Sequence, residues 1–270
     1  MIGILDSGVG GLSVLREVKS QLPDHDITYI GDNSWCPYGS KSYEEICART
    51  FALTEKLIAL GAEVIVIACN SATIAAIETL RAHFPISFIG MEPGVKPAAK
   101  HTKTGTIGVL ATQASLRGDK FHHLIGEHAK DLRVITQPCP SFVELIEQGT
   151  LAGPQVESAI TEYTSTMINA EADVIILGCS HYPFLRPALA QQLPENIHFI
   201  DTGAAIARRV SEQNLRPSAT PNLQVLTTGD PAHFQNIASQ LVPELIFTCQ
   251  LLDLSNDCLL YTSPSPRDRG

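Results

Sequence analysis

The chain has no Lys/Arg cluster, no CxxC pair and no apolar run long enough to span a bilayer. Its 19 basic residues are outnumbered by 28 acidic ones, for a net charge of −9. Neither a nucleic acid nor an anionic membrane is therefore an expected partner. An anionic ligand could still be held, but by local backbone N–H groups and not by a basic field. Seven cysteines, at positions 36, 47, 69, 139, 179, 249 and 258, sit at irregular spacings. An odd number without a CxxC argues against both a disulfide framework and a zinc site. The opening MIGILDSGVGGL lacks the basic region of a signal peptide and enters a strand pattern at once. A cytoplasmic protein with reduced thiols is the expectation. For any single cysteine, the plain alternative is a small buried apolar residue.

What is present is 270 residues, 44% of them hydrophobic, enough for one large or two medium domains. Strand-like runs at 2–6, 27–31, 63–68, 86–90, 106–111, 132–136, 173–178, 197–201 and 223–227 alternate with helical stretches. Capping boxes are predicted at SYEE (Ser42 to Glu45) and SFVE (Ser141 to Glu144), with Gly61 and Gly149 as the stops. Strands this apolar, separated by helices, predict parallel sheets covered on both faces and joined by right-handed crossovers.

Two phrases recur. IGILDS (2–7) returns as IGVLAT (107–112), and EVIVIACNS (63–71) returns as DVIILGCSH (173–181). One match between apolar strands means little; two, in the same order at nearly one offset, predict two similar doubly wound α/β domains. Ligands of open α/β sheets bind beyond the carboxyl ends of the strands. Cys69 and Cys179 each follow such an end, and each is expected to open a turn into a helix. With the two halves related by a pseudo-twofold axis, the thiols would face one cleft from opposite sides.

A thiol ordinarily ionises near ~8.5, and a helix N-terminus lowers that value. A thiolate and a thiol on opposite faces of a tetrahedral carbon can invert it. One removes a proton and the other returns one to the far face, with no redox cofactor or metal required. The competing use is a disulfide, which needs direct sulfur contact and leaves no room for a substrate. Asp6 and Ser7 follow the first strand, where the carboxylate could orient Cys69. His181, two residues past Cys179, could assist that thiol, or be a hydrogen-bonded histidine at a helix start. The glycines of DSGVGGL (6–12) form neither a dinucleotide fingerprint, because Ser13 replaces the last glycine, nor a P-loop. They could admit backbone N–H groups to a small anion or pack strand against helix; both readings stand at this point.

Phrases along the chain resemble the glutamate racemases of the cofactor-independent aspartate/glutamate racemase family. They are DSGVGGLSVL (6–15), PYGSKS (37–42), ACNSAT (68–73), GMEPGVKPA (90–98), GVLAT (108–112), CPSFVELIEQG (139–149) and ILGCSHYPFL (176–185). The resemblance implies two α/β domains with the active site in the cleft between them. It implies interconversion of L- and D-glutamate, supplying D-glutamate for peptidoglycan, with no pyridoxal phosphate and no metal. By match of motif, Cys69 is the base for D-glutamate and Cys179 the base for L-glutamate, with Asp6 paired to the first and His181 to the second. Ser7, Pro37, Tyr38, Gly39, Ser40, Asn70, Ser71 and Ser180 fall on substrate-holding positions. Glu147 falls on an acidic position near the site, with a solvated helix face as its alternative. The family's usual threonines are Ser71 and Ser180 here, which keeps a hydroxyl donor, and its Gly-Thr is Ala114-Ser115, where Ser115 could replace the lost contact. Glu144 stands where proline is more usual and receives no role. No N-terminal extension precedes the first strand, so activation by a cell-wall precursor is not expected.

The domain limits expected are 1–92 plus 204–254 for the first and 93–203 for the second, with a hinge that closes on substrate. From about Asp253 the family pattern stops, and 255–270 reads as a disordered or non-native end. Glutamate is the expected small-molecule partner, and a homodimer is the candidate assembly. The competing readings are an aspartate or other amino-acid racemase of the same fold and, outside enzymes, a two-lobed amino-acid-binding protein.

Overall fold

A computed structural model describes residues 1–254; the end expected to be disordered, 255–270, lies outside the described residues. The strands among them are β1 Ile2–Asp6, β2 Ile27–Gly31, β3 Val64–Ile67, β4 Ser87–Gly90, β5 Thr106–Ala111, β6 Arg133–Pro138, β7 Val174–Gly178, β8 His198–Ile200, β9 Leu223–Thr227 and β10 Cys249–Leu251. They form a six-stranded sheet, β10-β9-β2-β1-β3-β4, and a four-stranded sheet, β6-β5-β7-β8. Every neighbouring pair is parallel.

The order β2-β1-β3-β4 in one sheet is repeated as β6-β5-β7-β8 in the other. The recurring phrases occupy equivalent strands and pair in the same register: Ile2 lies opposite Val64 in the first sheet, and Ile107 opposite Val174 in the second. The two halves are thus α/β layers of one pattern. β1, β2, β3, β5 and β7 are buried at every position, because helices cover both faces; this is why their sequences are almost continuously apolar. The edge strand β6 has no fully buried residue.

Chain direction links the halves twice. After β4 the helix Val95–His101 packs on β7 and β8, and after β8 the helix Gly203–Ser211 returns to pack on the helix Leu12–Gln21 and on β4. The latter helix turns Leu12, Val14, Leu15 and Val18 inward, a 3.6-residue apolar stripe.

The first capping box forms as expected. The Ser42 hydroxyl accepts from the Glu45 N–H at 3.2 Å and the Glu45 carboxylate accepts from the Ser42 N–H at 3.0 Å. The second does not form. Pro140 takes the first helical position of Pro140–Glu147, as its fixed φ favours. Ser141 is therefore already inside the helix, and its hydroxyl bonds Tyr163 at 2.8 Å instead. Both glycine stops hold: Gly61 (φ +96) and Gly149 (φ +74) are left-handed, and the paired bonds Ala62 N–H to Leu57 O and Thr150 N–H to Leu145 O close each end.

Candidate active site

β3 ends at Ile67, and Cys69 becomes the N-cap of the helix Asn70–His83 with extended backbone. β7 ends at Gly178, and Cys179 begins a turn closed by the Tyr182 N–H on its carbonyl at 3.2 Å. A 3-10 turn, Tyr182–Leu185, separates it from the helix Arg186–Gln192. Only the first thiol therefore opens an α-helix directly. Both line one cavity of about 410 Å³, and both are more than nine-tenths buried.

Ser7, Pro37, Tyr38, Gly39 and Ser40 from the first half border the same cavity, as do Asn70, Ser71 and His181. Four expected residues do not reach its wall and act behind it. Asp6 is fully buried; its carboxylate accepts from the Gly8 N–H at 3.0 Å and the Ser180 hydroxyl at 2.9 Å. Ser180 is thereby held by the opposite half, and its carbonyl accepts from the Ser13 hydroxyl at 2.7 Å. Ser115 bonds the hydroxyl of Thr112 at 2.9 Å, and Thr112 in turn meets Ser71 at 2.9 Å. The fourth is Glu147. Its Oε1 lies 2.6 Å from His181 Nε2 and accepts from the Val9 N–H at 2.8 Å, while its Oε2 accepts from Asn33 Nδ2 at 2.8 Å. A solvated helix face is excluded for this side chain. His181 Nδ1 is 3.7 Å from Cys179 Sγ, so Glu147, His181 and Cys179 form a continuous relay.

Of the glycine loop only Ser7 borders the cavity; the Gly8 and Val9 N–H groups donate to the Asp6 and Glu147 carboxylates. A Cβ on Gly8 would collide with the Glu147 carboxylate, and one on Gly10 would collide with the His181 ring. The glycines let the first half approach the relay of the second.

Electrostatics correct one expectation. Burial pushes the Cys69 thiol up to about 12, the Asp6 charge adds to it, and the opposing bonds from the Ala72 N–H and Ser7 are too weak to prevent it. A helix end alone would have lowered the value; desolvation wins. Burial likewise raises Asp6 above the usual carboxylate range, against the charge of His181 and the bonds from Gly8 and Ser180. For His181, burial acts downward, but its bonds to Cys179, Cys36 and Glu147 overcome it and hold the imidazole well above its ordinary value. Burial would raise Glu147, yet the bond and charge of His181 carry it below its ordinary value. The two directions agree on a charged pair.

Residues 2–210 match the model of the Asp/Glu/Hydantoin racemase family. The chain belongs to this family. A glutamate racemase of Herpetosiphon aurantiacus is 48% identical over 242 residues, 87% of this chain and 95% of that one. Among solved structures, glutamate racemase isoform RacE1 of Bacillus anthracis superposes with a TM-score of 0.85 at 32% identity, covering 94% of this chain and 97% of that one. The glutamate racemase of Francisella tularensis in complex with D-glutamate gives 0.81 at 27% identity, covering 94% and 97%. The two-sheet α/β architecture is shared with these racemases.

In this racemase-family chain, Thr112, Lys41, Arg117 and Glu144 also border the cavity; sequence reasoning gave none of them a role. For Thr112 a signal existed, since it holds the same place in IGVLAT that Ser7 holds in IGILDS. For Arg117 and Glu144 there was none, because only the tertiary fold brings those helices to the cavity.

Proposed function

We propose that the protein interconverts L- and D-glutamate without a cofactor, using one thiol from each half. The observation that carries this is the pair Cys69 and Cys179, at equivalent ends of β3 and β7, on the wall of a single buried cavity. In the L-to-D direction Cys179, as thiolate, takes the Cα proton. Cys69, protonated at rest because of its burial, returns a proton to the other face. The roles reverse for D-glutamate. Each transfer is general acid–base catalysis, and water exclusion keeps the carbanion from adventitious protons.

The side chains around the thiols suit an amino acid. Asn70 Oδ1 is buried and has no hydrogen-bond partner among the described residues. An acceptor left in that state is costly, and the substrate's α-ammonium would satisfy it. The hydroxyls of Ser7, Ser40, Ser71 and Thr112 offer donors for the α-carboxylate. Lys41 and Arg117 bring positive charge to the same cavity, which suits the distal carboxylate. Asp6 and Ser180 act as a cross-domain clasp, and Glu147 positions His181 against Cys179.

The domain limits 1–92 with 204–254, and 93–203, are supported by which strands enter which sheet. The role proposed for this activity is supply of D-glutamate to peptidoglycan, in the cytoplasm. No described helix is long and apolar enough to cross a membrane. The test is a racemisation assay with chelator present and no cofactor added. Cys69→Ala and Cys179→Ala should each abolish turnover while retaining proton abstraction from one enantiomer of an analogue able to eliminate. A Cys179→Ala variant racemising at a near-normal rate would refute the two-thiol mechanism.

A further inference from the structure

Cys36 has no part in the reaction above and does not border the cavity, yet its thiol joins a compact group. Cys36 Sγ, a carboxylate oxygen of Glu147 and a ring nitrogen of His181 all lie within 4.8 Å of one another. They come from three separate segments: the loop after β2, the end of the helix Pro140–Glu147 and the turn after β7. Among the described residues this is the single cluster of three such donors.

We propose that this trio binds a thiophilic divalent cation of the zinc class, and that the bound ion inhibits the enzyme. One thiolate, one imidazole and one carboxylate form a donor set zinc favours, with a fourth position left for water. Bond lengths of about 2.0–2.3 Å to such donors place tetrahedral ligands roughly 3.4–3.6 Å apart. His181 Nε2 and Glu147 Oε1 stand at 2.6 Å, so they must part by roughly 1 Å or less, and the thiol must close on them from within 4.8 Å. Rotations of the side chains suffice for displacements of that size. The lack of a side chain at Gly8 keeps the space open, since a Cβ there would strike Glu147 and lie 3.1 Å from Cys36 Sγ. Asn33 and the Val9 N–H already hold the Glu147 carboxylate, the outer-shell support that metal ligands need. Cys36 and Glu147 are only partly buried, which gives the ion access.

On binding, the Cys36 thiol and the protonated His181 each release a proton to solvent, bonds form from the ion to Sγ, Nε2 and the carboxylate, and nothing is oxidised. The ring keeps its Nδ1 side toward Cys179, but the ion replaces the direct contact of Nε2 with Glu147 and the side-chain shifts it requires draw the imidazole out of its position against that thiol. The ion is an inhibitor and not a cofactor. Binding rests on the trio's geometry alone; inhibition rests also on the function proposed above.

Titration with Co²⁺, a spectroscopic substitute for zinc, tests binding on the full chain. The expected result is one ion per chain, a near-ultraviolet thiolate-to-cobalt band displaced by Zn²⁺, and loss of that band in both Cys36→Ser and Cys36→Ala. Alkylation of Cys36 in the unsubstituted protein, read by mass spectrometry, should be slowed by Zn²⁺. Racemisation by each protein is then compared with its own rate in chelator. Cys36→Ser should weaken zinc inhibition at least about 10-fold, since loss of even an outer-shell partner of a metal ligand costs that much. A band that survives both substitutions would place the ion on Cys69 and Cys179 and overturn the proposal. So would absence of the band, unchanged alkylation, or inhibition insensitive to Cys36. Cobalt binding that follows Cys36 in a protein that never racemises glutamate would leave the metal site standing and sink the activity.

Discussion

Replacing Glu147 with glutamine removes one negative charge and almost no volume. The amide oxygen can still accept from the Val9 N–H, which now donates at 2.8 Å. What is lost is the charge facing His181 Nε2 at 2.6 Å, inside a site where His181 is 1% exposed and Glu147 17%. A hydrogen bond to a charged group contributes about 1.5–3 kcal/mol, equivalent to about 10- to 150-fold in rate if it is all lost on the way to the transition state. Because the two glutamates are mirror images, their equilibrium constant is unity, and kcat/KM must fall by the same factor in both directions. The asymmetry appears elsewhere. With His181 less able to serve Cys179, proton transfer at that thiol becomes more rate-limiting than transfer at Cys69. The α-deuterium isotope effect should therefore grow for L-glutamate and shrink for D-glutamate. Polarimetry on α-deuterated substrates reads both. Activity within twofold of the unsubstituted enzyme would refute the relay, and so would isotope effects that change equally for the two enantiomers.

Alkaline stability is a second consequence of burial. Cys36, Cys69 and Cys249 have folded values pushed up to about 12 from an ordinary 9.0. The folded chain thus keeps protons that the unfolded chain sheds, so their contribution is complete below 9 and is lost as pH rises toward about 12; the Tm should fall across that window, and less steeply in Cys36→Ser. Arg49 gives Asp32 a two-pronged bond at 2.8 and 2.7 Å, and that fully buried carboxylate also accepts from the Tyr38 hydroxyl at 2.6 Å. Arg49→Met should cost about 3–5 kcal/mol in urea unfolding, the range for breaking a buried pair, and should raise KM because Tyr38 borders the cavity. Ser180→Ala removes a donor from the buried Asp6 carboxylate and should cost about 1.5–3 kcal/mol; Ser180→Thr, which keeps the hydroxyl, should restore most of it.

Much of the fold was legible because its signals are local. The central strands are buried on both faces, so their apolar runs stood out, and the recurrence of two phrases carried the similarity of the two halves; that β1 pairs with β3 and β5 with β7 in equivalent register was visible only in the fold. β10 escaped notice: it is three residues long, two of them exposed, at the sheet edge. The false capping box at Ser141 shows the limit of motif reading, since with Pro140 at the first helical position the helix starts two residues earlier than an N-cap at Ser141 would place it. At the site, the thiols and His181 were readable from the repeat and the motif. The clasp between Asp6 and Ser180 was not, because it joins residues 174 positions apart across two sheets. Nor was the sign of the shift at Cys69: a helix start is visible in sequence, but how deeply the thiol is buried is a property of everything packed around it.

Early turnover in heavy water tests the two-thiol claim most directly. Starting from unlabelled L-glutamate, the first D-glutamate formed should carry a solvent deuterium at Cα, while the L-glutamate recovered at the same time stays nearly unlabelled, because each enantiomer exchanges through its own sulfur. Product that retains the original α-hydrogen, or label entering both enantiomers equally from the outset, would mean a single base serves both faces and would contradict the account.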